Sequence, residues 1–352
     1  MSESTLHLPK APAAESDSAR IASPRIPLPL LITGIAGVAG YNALHYFRAL
    51  YPGQVFGIRQ TDNWRLIGDG IEVCNAEDRD GLSQLFAKHQ FQSVLNCAGN
   101  CALKKCELDP EMARRINVEA VEHLLAAIGS RDLRIVHLSI DLVFSGANGA
   151  GGYREDHAPD PVTVYGKTMV DAEQLLFKQR PDAAILRISL PMGISFNGHA
   201  GAIDWIQSRF KQSKPATLYF DEVRTPTYTD CLNRVCEAML ASEARGLFHA
   251  GGPRALSLYQ IAQIVNRVGG YDPDNLQGCP RIAAGPMPPR AGNVAMNSER
   301  LAETLGFLPF DPWPLHESHV PTHRDWHRER PSGEHGSAKL LADVLYRNPA
   351  RM

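Results

Sequence analysis

A strand, a glycine-rich turn and a helix follow one another between residues 29 and 47, in PLLITGIAGVAGYNALHYF. In such a turn the first glycine permits a sharp bend, the second lets a phosphate approach the backbone, and the third lets the helix pack close to the strand. Free N–H groups at the helix N-terminus favour an anion. A purely structural βα turn also contains glycines, but the strand and helix on either side favour a dinucleotide site. The residues predicted to bind the dinucleotide here are Gly34, Ile35, Gly37, Val38 and Gly40.

The first half of the chain alternates between predicted strands and predicted helices. Apolar runs predict six strands, at 30–32, 54–58, 71–73, 93–99, 133–140 and 183–190. Helical periodicity predicts the helix after the glycine turn and three more, at 80–89, 110–128 and 162–179. This alternation is typical of α/β proteins in which right-handed crossovers connect parallel strands. The predicted fold class is therefore α/β, with a Rossmann-type doubly wound parallel sheet.

The two ends of the chain differ from this regular region. The first 26 residues are rich in Ser, Ala and Pro and lack the apolar segment of a signal peptide, which predicts a disordered leader. After residue 190 the alternation is less regular. One strand is predicted at 246–252, and helices are predicted at 201–212, 230–241, 257–269, 298–307 and 336–348.

Composition excludes several classes of protein. The net charge of −2 argues against nucleic-acid binding, and no apolar stretch approaches the roughly 20 residues that span a membrane. The seven cysteines are odd in number and form no C-x-x-C pair. They predict reduced thiols in a cytoplasmic protein, without a disulfide framework or a metal site.

The residues after the second and fourth strands predict how a cofactor would be held. An acid after the second strand favours NAD, whereas an arginine favours the 2′-phosphate of NADP. Arg59 occupies this position, with Asp62 just beyond it, so NADP(H) is predicted over NAD(H). A solvated surface arginine remains the alternative. The fourth strand ends in Asn96, Ala98 and Gly99, which would let the ribose and nicotinamide lie across the strand ends.

The chain resembles the extended short-chain dehydrogenase/reductase superfamily and, within it, the dTDP-4-dehydrorhamnose reductase group. The motifs that carry the resemblance span roughly residues 28 to 310 and are ITGIAGVAG, LNCAGNCALKKCELDPEMARRINVEAVEHL, LSIDLVFSG, GGYREDHAPDPVTVYGKT, LRISLPMG, RTPTYTDCLNRV, GLFHAGGPRALS and PPRAGNVAMNSERLAETLGF. The resemblance implies a Rossmann domain over 27–190 and a smaller substrate-binding lobe over 191–315, which could interleave with it. The remaining residues, 316–352, would form a linker and a C-terminal helix.

The resemblance also implies a catalytic scheme, which this chain matches only in part. The family uses a Tyr as proton donor, a Lys four residues later and a Ser or Thr that holds the carbonyl oxygen. Tyr165 matches the Tyr and would also contact the cofactor, whereas Met169 stands at the Lys position and Ile140 at the Ser/Thr position. Lys167 would point about 200° away from Tyr165 around the helix.

Nearby residues are weaker candidates for the two missing roles. Ser139 neighbours Ile140, although adjacent residues of a strand face opposite sides. Lys104 or Lys105, in the predicted loop after the fourth strand, could reach the site, and solvated loop lysines are the alternative. Asp141 is predicted to make local hydrogen bonds.

Two functions remain open at this point. The first is an NAD(P)-dependent reductase of a keto nucleotide sugar, in which Tyr165 donates the proton. The second is a non-catalytic subunit that binds a dinucleotide or sugar nucleotide and regulates or binds a partner, because the group includes regulators of a methionine adenosyltransferase. The expected small-molecule partner is a nucleotide sugar, and the chain could form a homodimer.

Overall fold

The structure is a computed structural model that describes residues 26–196, 198, 201–330 and 335–347. Most of the predicted leader therefore lies outside the described residues. Thirteen strands are present in this part of the chain: β1 (Leu30–Ile32), β2 (Val55–Arg59), β3 (Ile71–Val73), β4 (Ser93–Asn96), β5 (Arg134–Ile140), β6 (Ala184–Ile188), β7 (Pro191–Met192), β8 (Ala216–Tyr219), β9 (Val223–Arg224), β10 (Thr227–Tyr228), β11 (Gly246–Ala250), β12 (Leu256–Ser257) and β13 (Leu276–Cys279).

The helices alternate with the strands of the first half and become more frequent in the second. They are α1 (Val38–Leu50), α2 (Arg79–His89), α3 (Leu103–Leu108), α4 (Pro110–Arg114), α5 (Ala120–Ile128), α6 (Val164–Gln179), α7 (Ala202–Lys211), α8 (Thr229–Ala241), α9 (Leu258–Val268), α10 (Glu299–Leu305) and α11 (Ala338–Leu345). A π-helical turn, Arg115–Glu119, joins α4 to α5, and 3₁₀ turns occur at Asp141–Val143, Pro273–Asn275, Arg281–Ala284 and Glu317–His319.

Seven strands form one parallel sheet in the order β3-β2-β1-β4-β5-β6-β11. The chain runs outwards from β1 to β3 and then returns to continue on the other side of β1. In sheets of this kind, ligands bind where the strand order reverses, beyond the carboxyl ends of the strands. The glycine turn after β1 and the loop after β4 meet at that point. The predicted Rossmann-type fold class is confirmed.

The strands are apolar throughout because helices cover both faces of the sheet. Leu30 and Ile32 pack into one buried cluster, whereas Leu31 packs into the other. Val94 and Leu95 of β4 divide between the two clusters in the same way. A strand that is buried on both faces has a nearly continuous hydrophobic sequence, and the strands of this sheet have such sequences.

The loop predicted after β4 contains a helix, and the helix predicted at 110–128 is interrupted. Residues 103–108 form α3, so Lys104 and Lys105 lie on a helix and not in a loop. The π-helical turn contains Asn117, whose Oδ1 accepts from the Asn100 N–H at 2.7 Å and whose Nδ2 donates to Thr168 Oγ1 at 2.9 Å. These bonds tie the turn to the loop after β4 and to α6, an arrangement that helical periodicity cannot reveal.

The second half of the chain returns to the central sheet. Strand β11 pairs in parallel with β6, and α8 packs against α1. Three small two-stranded sheets, β7 with β10, β9 with β12 and β8 with β13, lie outside the main sheet. Ile26, the last residue of the segment assigned to the leader, is 3% exposed and belongs to the core. Helix α11 covers part of the predicted helix 336–348, whose last residue lies outside the described ranges.

A buried polar network ties together the carboxyl ends of the three central strands. Thr33 Oγ1 donates to Asn96 Oδ1, and Asn96 Nδ2 lies 2.8 Å from Nδ1 of His137 on β5. Thr33 Oγ1 also accepts from the backbone N–H groups of Cys97 and Ala98, each at 3.1 Å. His137 is 1% exposed, and burial lowers the pKa of its imidazole from 6.5 to about 4.

His137 should make the stability of the protein depend on pH. In the unfolded chain the imidazole takes up a proton below its ordinary pKa of 6.5, whereas the folded protein keeps it neutral down to about 4. The contribution of His137 to the free energy of unfolding should therefore be fully present above pH 6.5 and fall as the pH drops towards 4. Between roughly pH 6.5 and pH 5 the free energy of unfolding should decrease by about 2 kcal/mol. His137→Gln, which keeps a polar partner for Asn96, should remove this part of the dependence in urea unfolding.

His316→Gln is the matched control, because His316 is exposed. His316→Gln should show the same dependence of the free energy of unfolding on pH as the unmodified protein. An unchanged slope in His137→Gln would contradict the burial of a neutral imidazole.

Candidate functional site

Two of the three motif glycines are required by packing between backbone segments. Gly34 has a φ of +64°, and a Cβ added there would lie 2.3 Å from the carbonyl oxygen of Cys97. A Cβ on Gly40 would lie 2.4 Å from the carbonyl oxygen of Gly34. Backbone atoms cannot move aside as a flexible side chain can. These two glycines therefore let β1, the turn and α1 approach the end of β4.

Gly37 differs from these two because no packing contact requires it to be glycine. A Cβ added at Gly37 would have one near neighbour, the Gly34 carbonyl oxygen at 3.5 Å, which is an ordinary contact distance. Gly37 is the N-cap of α1, has no side-chain cap, and is followed by no acidic residue in the first turn. The helix N-terminus thus offers N–H groups and its partial positive charge to an anion. This geometry fits the pyrophosphate of a dinucleotide.

Two other residues of the turn point their side chains into the protein. Ile35 is fully buried and packs against Gly57, where an added Cβ would lie 2.9 Å from the Ile35 Cδ1. Val38 is also buried, and a Cβ added at Gly201 would lie 3.3 Å from its Cγ2. Contact with a cofactor would therefore come through the backbone of Ile35 and Val38.

The predicted ribose and nicotinamide contacts after β4 fall into two kinds. The Asn96 side chain is 2% exposed and is engaged with Thr33 and His137, so it supports the strand ends. Ala98 is half-buried and Gly99 is exposed, which leaves both accessible at the point where the strand order reverses. The open surface here is thus provided by small residues.

Arg59 ends β2, next to the strand that carries the glycine turn. Its Nη1 donates to the carbonyl oxygens of Gln60 at 3.0 Å and Thr61 at 3.4 Å, which holds the guanidinium against its own loop. Asp62 is exposed in the same loop. Arg59 is therefore at the strand end from which a side chain would contact the adenosine ribose of a bound dinucleotide.

Tyr165 lies in the first turn of α6, which is capped from two sides. Thr163 Oγ1 accepts from the Gly166 N–H at 2.9 Å, and Glu107 Oε1 of α3 accepts from the Val164 N–H at 2.7 Å. A Cβ on Gly166 would lie 2.2 Å from the Leu142 carbonyl oxygen. The first turn of α6 thus packs directly on the 3₁₀ turn that follows β5.

The surroundings of Tyr165 are apolar where the family scheme has polar groups. Ile140 and Met169 belong to the same buried cluster as Tyr165, which is itself 6% exposed. Burial raises the pKa of the phenol well above its usual 10, the Cys101 thiol and the Asp141 carboxylate add to this, and the Arg224 guanidinium opposes it. Tyr165 therefore remains protonated at neutral pH and can donate a proton but hardly accept one.

Ser139 is not placed to hold a carbonyl oxygen beside Tyr165. Its hydroxyl donates to Glu173 Oε1, and the two carboxylate oxygens of Glu173 accept from Arg187 at 2.9 and 2.7 Å. Glu173 is eight residues after Tyr165 on α6, about 12 Å further along the helix. Alternation along β5 thus turns the Ser139 side chain into an ion-pair network with Glu173 and Arg187.

The lysine candidates are all at the surface. Lys104 and Lys105 on α3 are exposed, and so is Lys167 on α6. Among the described residues, none of these three lysines forms an ion pair. Lys104 and Lys105 remain candidates only because the helix that carries them, α3, packs against α6, which carries Tyr165.

The strongest polar interaction near Tyr165 was not foreseen from the sequence. Arg224 on β9 donates to both oxygens of Asp141, with its Nε 2.6 Å from Oδ2, and Ser189 Oγ donates to the same Oδ2 at 2.5 Å. Asp141 was expected to make local hydrogen bonds, whereas its side-chain partners Ser189 and Arg224 come from 48 and 83 residues away. The motif RTPTYTD contains Arg224, yet no pattern in the sequence pairs it with Asp141.

Within the described ranges, no three His, Cys, Asp or Glu side chains come together in a way that could hold a metal ion. None of the helices in the described part of the chain has the length and apolar character needed to cross a membrane. All seven cysteines are free of disulfides.

Comparison with known proteins identifies relatives of two kinds. Methionine adenosyltransferase 2 subunit beta of Danio rerio is 26% identical over 290 residues, which cover 79% of this chain and 84% of that protein. The dTDP-4-dehydrorhamnose reductase of Mycolicibacterium smegmatis is 26% identical over 249 residues, which cover 68% and 72%. The relatives thus include both a reductase and a protein named as a subunit of another enzyme.

Solved structures show the same fold. A dTDP-4-dehydrorhamnose reductase from Bacillus anthracis in complex with NADP superposes with a TM-score of 0.69 at 18% identity, covering 81% of this chain and 95% of that one. A hypothetical dTDP-4-dehydrorhamnose reductase from Sulfolobus tokodaii superposes with a TM-score of 0.68 at 22% identity, covering 83% and 99%. The model of the RmlD substrate binding domain family matches residues 29–319. The resemblance drawn from the sequence is therefore confirmed, and the chain belongs to the RmlD substrate-binding domain family.

Proposed function

We propose that this chain binds NADP(H) in the cytoplasm and reduces a keto group of a nucleotide sugar, with Tyr165 as the proton donor. The observation that carries the proposal is the position of Tyr165 in the first turn of α6, which packs on the turn that follows β5 at the carboxyl end of the sheet. The uncapped helix N-terminus at Gly37 supports the part of the proposal that concerns the dinucleotide. The family, whose relatives include reductases, supports the type of reaction.

The residues present favour reduction over oxidation. The bound dinucleotide would supply the hydride to the carbonyl carbon. Tyr165 would give its proton to the carbonyl oxygen, which yields the alcohol, and would then regain a proton from solvent. Ile140 and Met169 provide neither a hydroxyl for the oxygen nor an ammonium to stabilise the phenolate. Loss of such groups costs about 10²–10⁴-fold for acid–base help and a further 10²–10³-fold for the oxygen donor.

A second function is favoured by these same two residues. Ile140 and Met169 are apolar and buried at positions where catalysis needs polar groups. A protein that binds the dinucleotide and acts through a partner has no need of those groups. The similarity to methionine adenosyltransferase 2 subunit beta supports this alternative.

Gly37→Asp tests the dinucleotide site. The carboxylate would occupy the space at the start of α1 and repel a pyrophosphate, so binding of NADPH should be lost in calorimetry. Because packing does not require Gly37 to be glycine, the variant should remain folded by circular dichroism. Ala147→Asp is the control, because Ala147 is exposed and lies outside the turn. Unchanged NADPH affinity in folded Gly37→Asp would contradict the site.

Arg59→Ala tests the choice of cofactor. If Arg59 pairs with the 2′-phosphate, the variant should bind NADPH more weakly by about 1.5–3 kcal/mol, the range for a hydrogen bond to a charged group. Binding of NADH should hardly change. Arg65→Ala is the matched control, because Arg65 lies in the same loop and stacks on Trp64 with 4.9 Å between the guanidinium and the ring centre. Equal weakening of both cofactors by Arg59→Ala would show that Arg59 only supports its loop.

Restoring the polar groups tests which of the two functions holds. For an impaired reductase, Ile140→Thr combined with Met169→Lys should raise turnover of a 4-keto nucleotide sugar by about 100-fold or more. The new ammonium should also lower the pKa of Tyr165, so that reduction declines at alkaline pH, whereas the unmodified protein should show no such decline between about pH 6 and pH 9.

The control for this experiment is Lys167→Met, which exchanges the same residue types at an exposed position of α6. It should leave turnover unchanged. No turnover in the double variant, with NADPH binding retained, would favour the non-catalytic function. If Tyr165→Phe retained activity, Tyr165 would not be the proton donor.

A further inference from the structure

Glu107 supplies α6 with an acid that the first turn of this helix lacks. No acidic residue lies in the first turn of α6 itself. Glu107, on α3, instead places its Oε1 2.7 Å from the Val164 nitrogen, which carries the first N–H group of the helix. A carboxylate at this end of a helix satisfies an otherwise unpaired N–H group and interacts favourably with the partial positive charge there. The turn that contains Tyr165 is thus stabilised by a side chain from another helix.

The other side-chain hydrogen bonds of this turn are local. The Gly166 N–H donates to Thr163 Oγ1 at 2.9 Å, and the Tyr165 carbonyl oxygen accepts from Thr168 Oγ1 at 2.8 Å. Both bonds stay within α6 and its N-cap. The bond to Glu107 is different, because it joins the turn to a helix that lies 57 residues earlier in the chain. Loss of this bond would therefore free the turn from α3.

The phenol of Tyr165 is not oriented by a hydrogen bond of its own. None of the described residues forms a hydrogen bond with its hydroxyl, and its ring packs among apolar side chains of the core. The position of the hydroxyl therefore follows from the position of the backbone in the first turn of α6. In catalysis, a shift of about 1 Å between reacting groups can cost on the order of 100-fold in rate. A small movement of this turn would thus matter for proton transfer.

The helix that carries Glu107 is itself fixed at both sides of this residue. Cys106 is fully buried, and its Sγ donates to the Asn100 carbonyl oxygen at 3.3 Å. The Asp109 N–H donates to the Lys105 carbonyl oxygen at 2.9 Å, and the Asp109 side chain caps α4. These contacts limit the movement of α3, so Glu107 can act as a support that connects the loop after β4 to the first turn of α6.

We propose that Glu107 is a positioning residue, which holds the first turn of α6 so that the Tyr165 hydroxyl is directed towards a bound substrate. This inference rests on the proposed function insofar as it takes Tyr165 to be the proton donor. In this role Glu107 contacts neither substrate nor cofactor, and no proton passes through it. The role needs a hydrogen-bond acceptor at this distance from Val164. The amide oxygen of a glutamine would also provide one, whereas an alanine would not.

Hydrogen exchange and NMR spectroscopy of the full chain test the proposal without turnover. In Glu107→Ala, the Val164 N–H should exchange with solvent about tenfold faster, because loss of a helix cap weakens the first turn by roughly that factor. In protein made with ¹³C-labelled tyrosine, the ring signal of Tyr165, identified by its absence from Tyr165→Phe, should shift or broaden. Glu107→Gln should restore both the exchange rate and the ring signal.

Glu111→Ala is the matched control. Glu111 is an exposed glutamate in the first turn of α4, so its removal should change neither measurement. Glu107→Asp is a second variant, whose shorter side chain keeps the charge but withdraws the carboxylate from Val164. It should behave like Glu107→Ala, so the test does not depend on the folding of one variant. If Val164 exchanged equally fast in the unmodified protein and in these two variants, or if the Tyr165 signal stayed unchanged, the proposal would be overturned.

Turnover of a keto nucleotide sugar separates this proposal from the proposed function. Glu107→Ala should lower kcat by about 10–100-fold and leave the KM for NADPH unchanged, and Glu107→Gln should recover most of the loss. An unchanged kcat together with faster exchange at Val164 would show a helix cap without a positioning role and overturn the proposal. An unmodified protein that never oxidises NADPH would contradict the reductase, and the exchange rate and the ring signal would still decide the role of Glu107.

Discussion

The close approach of three backbone segments at the carboxyl end of β1 is the constraint on which the rest of the site depends. Gly34 lies against the carbonyl of Cys97, and Gly40 lies against the carbonyl of Gly34. This brings α1 to the place where β1 and β4 part and the strand order reverses. Any side chain at either glycine would push the helix away from the sheet. The same contact fixes the loop after β4, from which α3 and the Asn117 turn lead towards Tyr165.

The main elements of the fold could be predicted because their signals are local. Strands buried on both faces are continuous apolar runs, and the helices between them show clear periodicity. The turn around Gly37 could be predicted for the same reason, because its strand, glycines and helix follow one another in the sequence. Arg59 was located by its position after β2, and Tyr165 by the motif that contains it.

The remaining features depend on contacts between distant segments. The π-helical turn exists because Asn117 bonds to Asn100 and Thr168, and neither bond leaves a periodic trace. The position of Arg224 on Asp141 joins residues 83 apart. The role of Ser139 depends on Glu173, which is found only when the face of β5 is known. A sequence pattern indicates the local structure of one segment. It cannot predict these contacts, because each of them joins a side chain to a distant segment.

Two buried ion pairs lie next to β5, and in each of them a buried charge has an opposite charge beside it. Glu173 pairs with Arg187, and Asp141 pairs with Arg224. The Asp141 carboxylate opposes the effect of the Arg224 guanidinium on the pKa of Tyr165. Burying a lone charge costs several kcal/mol, and pairing within the protein removes most of that cost.

Such pairing stabilises the folded chain but reduces the positive electrostatic potential at Tyr165 that acid–base catalysis would use. A lysine at position 169 would have had no such partner among these pairs and could have acted on Tyr165. Met169 avoids the cost of a second buried cation, and the phenol is left as a donor whose proton is held tightly. In the proposed reaction, the preference for reduction would thus follow from how the fold neutralises its buried charges, more than from Tyr165 itself.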